Sequence, residues 1–161
     1  MNAQQLLNHI IKPTLGYMGG NYDSKNAQML LLATAAIESK CGHYIKQVNG
    51  PALGIWQMEP ATHDDIILNC DALKSSAYQD RIDDLIVNLK NGTDYELISP
   101  AYACAMARLK YSMDSELLPK FNDREAIYKY YKRIYNTELG ASTWLKFAAA
   151  WDNCGLSAVD L

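Results

Sequence analysis

The amino-acid sequence predicts an all-α fold, with six or seven helices around a buried central helix and at most one minimal β-hairpin. Apolar residues recur at helical spacing along nearly the whole chain. The run Met29–Ile37 is apolar on a broad face, as expected for a helix that is surrounded by others. The chain has 161 residues, 49% of them hydrophobic, which suits a single domain over residues 1–161 with one core.

The first two helices are predicted from apolar spacing and from residues that begin or end helices. Residues 3–11 carry an apolar stripe, and Pro13 is expected to end this first helix. A glycine-rich loop follows, and Asp23 or Ser24 can then cap the central helix, which runs to about Ser39. The stripe consists of Leu6, Leu7, Ile10 and Ile11, and the loop glycines are Gly16, Gly19 and Gly20.

The middle of the chain is expected to be irregular before helices resume. Residues 41–55 contain glycines and a proline and predict a loop, in which residues 48–57 could form the one small hairpin. Pro60 suits the first turn of a helix over about residues 59–73. Ser75 or Ser76 can cap the next helix, which Asn91-Gly92 would end. Its apolar stripe is Ile82, Leu85, Ile86 and Leu89.

Three further helices are predicted in the C-terminal part of the chain. Residues 100–113 are rich in alanine, and such small side chains permit close packing between helices. Asn122 or Asp123 can begin the next helix, which continues through Tyr135. Ser142 is expected to cap the last helix, which runs through Trp151.

Charge and hydropathy argue against two classes of partner. The formal net charge is −3 and the chain has no basic block, so nucleic acid is not an expected partner. No apolar stretch approaches the ~18 residues of a membrane-spanning helix, so no membrane span is expected. The N-terminal residues lack the charged and apolar regions of a secretion signal, so we expect synthesis in the cytoplasm.

The cysteines and histidines do not predict a metal centre or a cofactor. Cys41, Cys70, Cys104 and Cys154 are widely separated in the sequence. Free thiols are favoured over disulfides for a chain made in the cytoplasm, although the spacing alone leaves both open. Cys41 and His43 are too isolated to form a zinc site, and neighbours in one loop seldom form a nucleophile and base pair.

The strongest chemical signal is the carboxylate of Glu38, which lies at the end of the apolar run Met29–Ile37. Partial removal from water raises the pKa of a carboxyl group and favours a general acid that is protonated near neutral pH. Residues 54–62 then add an aromatic ring, an amide and a helix-starting proline. An acid beside an aromatic wall and amide donors suits the cleavage of glycosidic bonds.

Three sequence blocks resemble the soluble lytic transglycosylase domain, which is related to goose-type lysozyme. Glu38-Ser39 is similar to the family's Glu-Ser, and residues 50–62 are similar to its Gly-Ala-x-Gly-Leu-x-Gln-x-x-Pro-x-Thr element. Tyr135-Asn136-Thr137 is similar to its late Tyr-Asn element. The resemblance covers roughly residues 26–150 and is greatest to phage-encoded members. It implies a lysozyme-like arrangement of the predicted helices.

The resemblance also implies an activity and a set of site residues. Glu38 would act alone, first as acid and then as base, in cleaving the MurNAc–GlcNAc bond of peptidoglycan to a 1,6-anhydro product. Gln57 would contact an N-acetyl group or brace the acid, and the Tyr135 hydroxyl would orient Glu38. The other substrate-binding candidates are Ser39, Trp56, Asn136 and His43. Trp56 replaces a smaller residue of the family, so its ring either stacks on a sugar or packs in the core.

Two alternatives remain open at the level of the sequence. Asp64, Asp65 or Asp23 could act as a base for water, which would make the protein a hydrolase that releases a free hemiacetal. The chain could instead be a non-catalytic virion or glycan-binding protein that keeps the lysozyme-like fold. Either way, the phage resemblance implies synthesis in the host cytoplasm and use at the cell wall or periplasm. Peptidoglycan strands, and other virion proteins, would be its partners.

Overall fold

The computed structural model describes residues 1–85, 93–136 and 140–161 and has an all-α fold. The predicted fold class is confirmed, and the described residues contain seven helices. Helix α1 consists of Ala3–Leu6, a π-helical turn at Leu7–Ile11, and Lys12–Met18. The others are α2 (Lys25–Ser39), α3 (Pro60–Asn69), α4 (Ser76–Asp83), α5 (Pro100–Ser112), α6 (Arg124–Tyr131, continued by a π-helical turn at Lys132–Asn136) and α7 (Trp144–Asn153). Short 3₁₀ turns lie at Gly20–Tyr22, Asp71–Lys74, Thr93–Ile98 and Leu156–Ala158.

Helix α2 is the buried central helix that the apolar run predicts. The hydroxyl of Ser24 accepts a hydrogen bond from the Ala27 backbone N–H at 3.1 Å, so Ser24 rather than Asp23 is the cap. Every residue from Ala27 to Ala36 is buried, since α1, α5, α6 and α7 all pack against α2. The helix ends at Lys40, which adopts a left-handed conformation with φ of 52°.

The prediction that Pro13 ends the first helix is wrong. The chain continues as a helix to Met18, and Gly19 then ends it with φ of 72°. A proline removes one N–H donor and crowds the preceding turn of a helix. The wider π-helical turn Leu7–Ile11 lies just before Pro13, where it relieves this crowding. Gly16 therefore lies inside the helix and not in a loop.

Other helix ends differ from the predictions by between one residue and about one turn. The helix that begins at Pro60 stops at Asn69, and the residues up to Lys74 form a 3₁₀ turn instead. Asp123 caps α6 as predicted, but Thr143 rather than Ser142 caps α7. The expected stripe residues Ile86 and Leu89, the stop at Asn91-Gly92, and Thr137 of the late block lie outside the described residues.

The predicted hairpin is reduced to two isolated antiparallel bridges within the described residues. Leu53 pairs with Lys46 and with Met58. These bridges fold residues 45–58 back on themselves beside the C-terminal end of α2. The consequence is that Gln57 and Glu38 approach the same cavity.

One contiguous apolar core joins the helices. Its buried members run from Ala3 in α1 to Leu156 near the C-terminus. Cys41, Cys70 and Cys104 are buried, and all four cysteines are free thiols. None of the described helices has the length and apolar character needed to cross a membrane.

Candidate active site

A cavity of about 540 Å³ opens at the C-terminal end of the central helix. Five parts of the chain form its walls: the last turn of α2, the loop before α3 with the first turn of α3, Lys110 of α5, the end of α6, and the segment from Gly140 into α7. The volume lies in the range of sites that bind small molecules or a few sugar units. Its lining residues are Ile37, Glu38, Gln47, Ala52, Gln57, Met58, Glu59, Thr62, Lys110, Tyr131, Tyr135, Asn136, Gly140, Ala141, Ser142 and Lys146.

Glu38 is the half-buried carboxyl group of this cavity. Its Oε1 accepts a hydrogen bond from the Tyr131 hydroxyl at 2.6 Å. Removal from water raises the pKa of Glu38, and the hydrogen bond from Tyr131 offsets part of this effect. A carboxyl group with a raised pKa and a fixed orientation is suited to donate a proton to a bound substrate.

The prediction that the Tyr135 hydroxyl contacts Glu38 is wrong, because Tyr131 occupies that position. The Tyr135 hydroxyl donates instead to the Trp56 carbonyl oxygen at 2.9 Å. The two tyrosines are four residues apart, so their rings lie on the same face of α6 and stack at 6.3 Å. Tyr135 still lines the cavity, and its hydroxyl anchors the loop that presents Gln57.

Ser39 joins α2 to this loop and has no access to a ligand. Its side chain is fully buried, and its hydroxyl donates to the Ile55 carbonyl oxygen at 2.5 Å. It also accepts a hydrogen bond from the Gly42 backbone N–H at 2.8 Å. The predicted role of Ser39 in substrate binding is therefore wrong. The hydroxyl holds the loop against the end of the helix next to Glu38.

Trp56 is also a core residue rather than a sugar platform. Its ring is fully buried, and its Nε1 donates to the Leu31 carbonyl oxygen at 2.9 Å. Of the two roles that the sequence left open, stacking on a sugar is excluded by this burial. The hydrogen bond from the indole N–H instead links the loop to the middle of α2.

Gln57 and Asn136 do line the cavity, as the sequence predicts. Gln57 has a left-handed backbone with φ of 46°, and its Nε2 donates to the Gly54 carbonyl oxygen at 2.7 Å. The Asn136 Oδ1 accepts from the Lys132 Nζ at 2.8 Å, and the same Nζ donates to the Gly140 carbonyl oxygen. Lys132 therefore links Asn136 to Gly140, both of which line this wall of the cavity.

His43 and the candidate aspartates lie outside the cavity. His43 is exposed, packs edge-on against Tyr44, and lines a neighbouring cavity that shares Ile37 and Lys146 with the Glu38 cavity. Asp64 and Asp65 contact His63 and Lys110 respectively, and neither aspartate lines the cavity. Asp23 precedes the start of α2, about 20 Å from the Glu38 end by the rise of a helix.

Four titratable side chains that line the cavity were not predicted from the sequence as site residues. Tyr131 carries the hydrogen bond to Glu38; Tyr135 was chosen from the resemblance of the late block, and the spacing of four residues places both rings on the same helix face. Glu59 is exposed and lies on the cavity rim. Lys110 and Lys146 reach the cavity from α5 and α7, and nothing in the spacing along the chain indicates this approach.

Comparison with known protein families, with curated proteins and with solved structures found no match to this chain. The described residues contain no group of three or more histidine, cysteine, aspartate or glutamate side chains placed to hold a metal ion. The polar groups that line the cavity include carboxyl, phenol, amide and ammonium groups.

Proposed function

We propose that this protein is a lytic transglycosylase that cleaves the MurNAc–GlcNAc bonds of peptidoglycan. The observation that carries the proposal is the Glu38 carboxyl group, which is half-buried in a 540 Å³ cavity and held by Tyr131 at 2.6 Å. The raised pKa of this carboxyl favours the protonated form that glycosidic cleavage needs. The sequence resemblance of Glu38-Ser39 and of residues 50–62 points to the same chemistry.

In this proposal Glu38 performs both proton transfers. The carboxyl group first donates its proton to the departing glycosidic oxygen while positive charge builds on the sugar. The resulting carboxylate then accepts the proton of the 6-hydroxyl of the muramic sugar as that oxygen attacks the anomeric carbon. The Tyr131 hydroxyl donates to one carboxyl oxygen in both states, and the other oxygen is left for the substrate.

The nature of the product tests the proposal. Purified sacculi would be digested with the wild-type protein, and the released muropeptides would be analysed by mass spectrometry. We expect 1,6-anhydro ends, which are 18 mass units lighter than hydrolysed ends because no water is added. Muropeptides with free hemiacetal ends would contradict the transglycosylase mechanism, and intact sacculi would contradict enzymatic activity altogether.

Hydrolysis is the second candidate, because Glu59 places another carboxylate at the cavity rim. An inverting hydrolase needs a second carboxylate that activates water on the far side of the sugar. If Glu59 had this role, Glu59→Gln would remove activity as fully as Glu38→Gln does. For the transglycosylase we expect Glu59→Gln to retain most of the activity, since Glu59 is exposed and takes no part in either proton transfer.

The setting of this activity is inferred from the sequence resemblance to phage-encoded members. We propose that the protein is made in the host cytoplasm and acts on the cell wall, either as part of a virion or at lysis. Peptidoglycan glycan strands are its proposed partners. The corresponding non-catalytic alternative is a glycan-binding virion protein, which would bind sacculi without releasing muropeptides.

A further inference from the structure

A separate cavity lies at the opposite end of the central helix from Glu38. Its volume is about 540 Å³, and it shares no lining residue with the Glu38 cavity. Ser24 and Asn26 at the N-terminal end of α2 line it, together with Arg108 near the C-terminal end of α5. The length of α2 places it about 20 Å from Glu38. The cavity is named the Arg108 cavity after its most buried charged residue.

Arg108 is a buried cation without a carboxylate partner among the described residues. Only 6% of the residue is exposed. Its Nε donates to the Tyr22 carbonyl oxygen at 3.0 Å, and its Nη2 lies 3.5 Å from the Asn21 carbonyl oxygen. The buried Nη1 has no hydrogen-bond partner within the described part of the chain. A buried charge that lacks a counter-ion and one of its hydrogen bonds is costly, so an anionic acceptor at this position would be favourable.

The N-terminal turn of α2 brings further donors to the Arg108 cavity. The Ser24 hydroxyl accepts a hydrogen bond from the Ala27 N–H at 3.1 Å. The N–H groups of Lys25 and Asn26 in the same turn have no acceptor among the described residues. Helix N-termini attract anions through such N–H groups and through the helix dipole. Lys120 adds an exposed ammonium group to the cavity wall.

The two carboxylates that line the Arg108 cavity are already paired. Asp114 accepts hydrogen bonds from both terminal nitrogens of Arg133, at 2.9 and 3.1 Å, and Glu116 accepts one at 2.7 Å. Arg133 balances one of these two negative charges, and Lys120 can offset the other across the cavity. The positive charge of Arg108 therefore remains without compensation.

We infer that the Arg108 cavity binds inorganic phosphate or a tetrahedral oxyanion of the same shape and charge. The Arg108 guanidinium, the first-turn N–H groups of α2 and the Lys120 ammonium group can each donate to a different oxygen of such an ion. A carboxylate has only two oxygens and one negative charge, so it would satisfy fewer of these donors. The inference does not depend on the proposed function, because none of these groups lines the Glu38 cavity.

A titration of the nitrogen-15-labelled wild-type protein with inorganic phosphate, followed by NMR near neutral pH and at constant ionic strength, tests the inference. We expect saturable changes in the backbone amide signals of Lys25 and Asn26 and in the side-chain Nε–H signal of Arg108. Sodium chloride at the same ionic strength should not produce these changes, and sodium acetate should produce them only at higher concentrations. Signals that stay in place, or that change without saturation, would overturn the inference.

Three variants identify the groups that bind the ion. Arg108→Met should weaken phosphate binding at least tenfold, because a hydrogen bond to a charged group is lost. Lys120→Gln should weaken it about twofold to fivefold, the range for one exposed charge pair. Lys46→Gln is the matched control and should leave binding unchanged, since Lys46 is exposed and lines neither cavity.

Unchanged phosphate binding by a folded Arg108→Met protein would contradict the inference, and so would equal effects of Lys120→Gln and Lys46→Gln. Circular dichroism shows whether Arg108→Met folds. If it does not fold, the wild-type titration and the comparison of the two lysine variants still decide the question. Failure of the proposed function would be seen separately, as intact sacculi after incubation with the wild-type protein.

Discussion

At the scale of single residues, the contact between Tyr131 and Glu38 sets both the orientation and the acidity of the proposed catalytic acid. Burial favours the neutral carboxyl, while the phenol hydroxyl favours the carboxylate to which it donates at 2.6 Å. Burial is the larger effect, so the pKa of Glu38 stays above its ordinary range. The two influences act in opposite directions and can therefore be separated by mutation.

Tyr131→Phe should slow cleavage and move its pH dependence. A neutral hydrogen bond contributes about 0.5–1.5 kcal/mol, which corresponds to a loss of about threefold to tenfold in rate. Without the hydroxyl the pKa of Glu38 rises further, so the fall in rate on the alkaline side should begin at a higher pH than in the wild type. The release of muropeptides, measured from pH 4 to pH 9, gives both the rate of cleavage and the pH at which this rate begins to fall.

Tyr135→Phe is the control for this prediction. The Tyr135 hydroxyl donates to the Trp56 carbonyl oxygen rather than to Glu38. Its loss should therefore not change the pH at which the cleavage rate begins to fall on the alkaline side. A shift with Tyr135→Phe and none with Tyr131→Phe would contradict the assignment of the two tyrosines.

The raised pKa of Glu38 also predicts how stability depends on pH. A group whose pKa is higher in the folded state binds its proton more tightly there, so its contribution to stability is greatest below the ordinary pKa. That contribution is lost as the pH rises through the raised pKa. Glu38→Gln, which has no charge to bury, should therefore gain stability relative to the wild type between pH 4 and pH 8. Thermal unfolding of both proteins across this range measures the difference, and a constant difference would contradict it.

Residue roles were the part of the site that the sequence predicted least well. The apolar run before Glu38 correctly predicted a partly buried carboxyl group, because burial of a helix end can be inferred from its neighbours in sequence. The choice between Tyr131 and Tyr135 depends on the rotation of α6 against α2, which a spacing of four residues does not determine. Ser39 was wrongly predicted to bind substrate, and the role of Trp56 was left open, because the burial of these two side chains depends on contacts that are distant along the chain.

At the scale of the elements, the loop between Gly54 and Met58 determines where Gln57 meets the cavity. The tight turn depends on Gly54, which has φ of 75° and packs directly on the Leu97 carbonyl oxygen. Residues other than glycine rarely adopt this backbone conformation, and a Cβ atom at this position would also collide with the Leu97 carbonyl oxygen. The turn is further fixed by hydrogen bonds from Ser39 and Tyr135.

Gly54→Ala should therefore destabilise the protein by about 2 kcal/mol or more. For a chain of this size the melting temperature should fall by about 4–8 °C. Gly16→Ala is the matched control, because Gly16 lies in α1 and an added methyl group meets no atom within 4 Å. It should stabilise the helix by up to about 1 kcal/mol. Equal melting temperatures for the two variants would contradict this account of the turn.

The helices themselves were predicted well where apolar spacing is regular and less well at their ends. Central helix α2 and the alanine-rich helix α5 follow directly from their patterns. Pro13 was expected to end α1, yet the π-helical turn before it accommodates the ring. Such a turn depends on the packing of both halves of the helix against α2 and α5. The residues next to Pro13 in the sequence do not predict this packing.

At the scale of the whole molecule, one contiguous core extends from α1 to the residues after α7. The prediction that residues 1–161 form one domain leads us to expect a single cooperative unfolding transition. Far-ultraviolet circular dichroism reports the helices, and the fluorescence of buried Trp56 and Trp151 reports the core. The two signals should give the same melting temperature. Midpoints that differ by several degrees would indicate that part of the chain unfolds separately.

The rate of peptidoglycan cleavage by Glu38→Gln tests the central claim most directly. Glutamine keeps the size of the side chain and removes the proton that the mechanism requires. General acid catalysis contributes ~10²–10⁴ to a rate, and in the proposed mechanism one residue performs both proton transfers, so we expect a loss of about a thousandfold or more. The variant should remain folded, with the helical circular dichroism of the wild type. A folded Glu38→Gln protein that releases muropeptides at the wild-type rate would contradict the assignment of Glu38 as the catalytic acid.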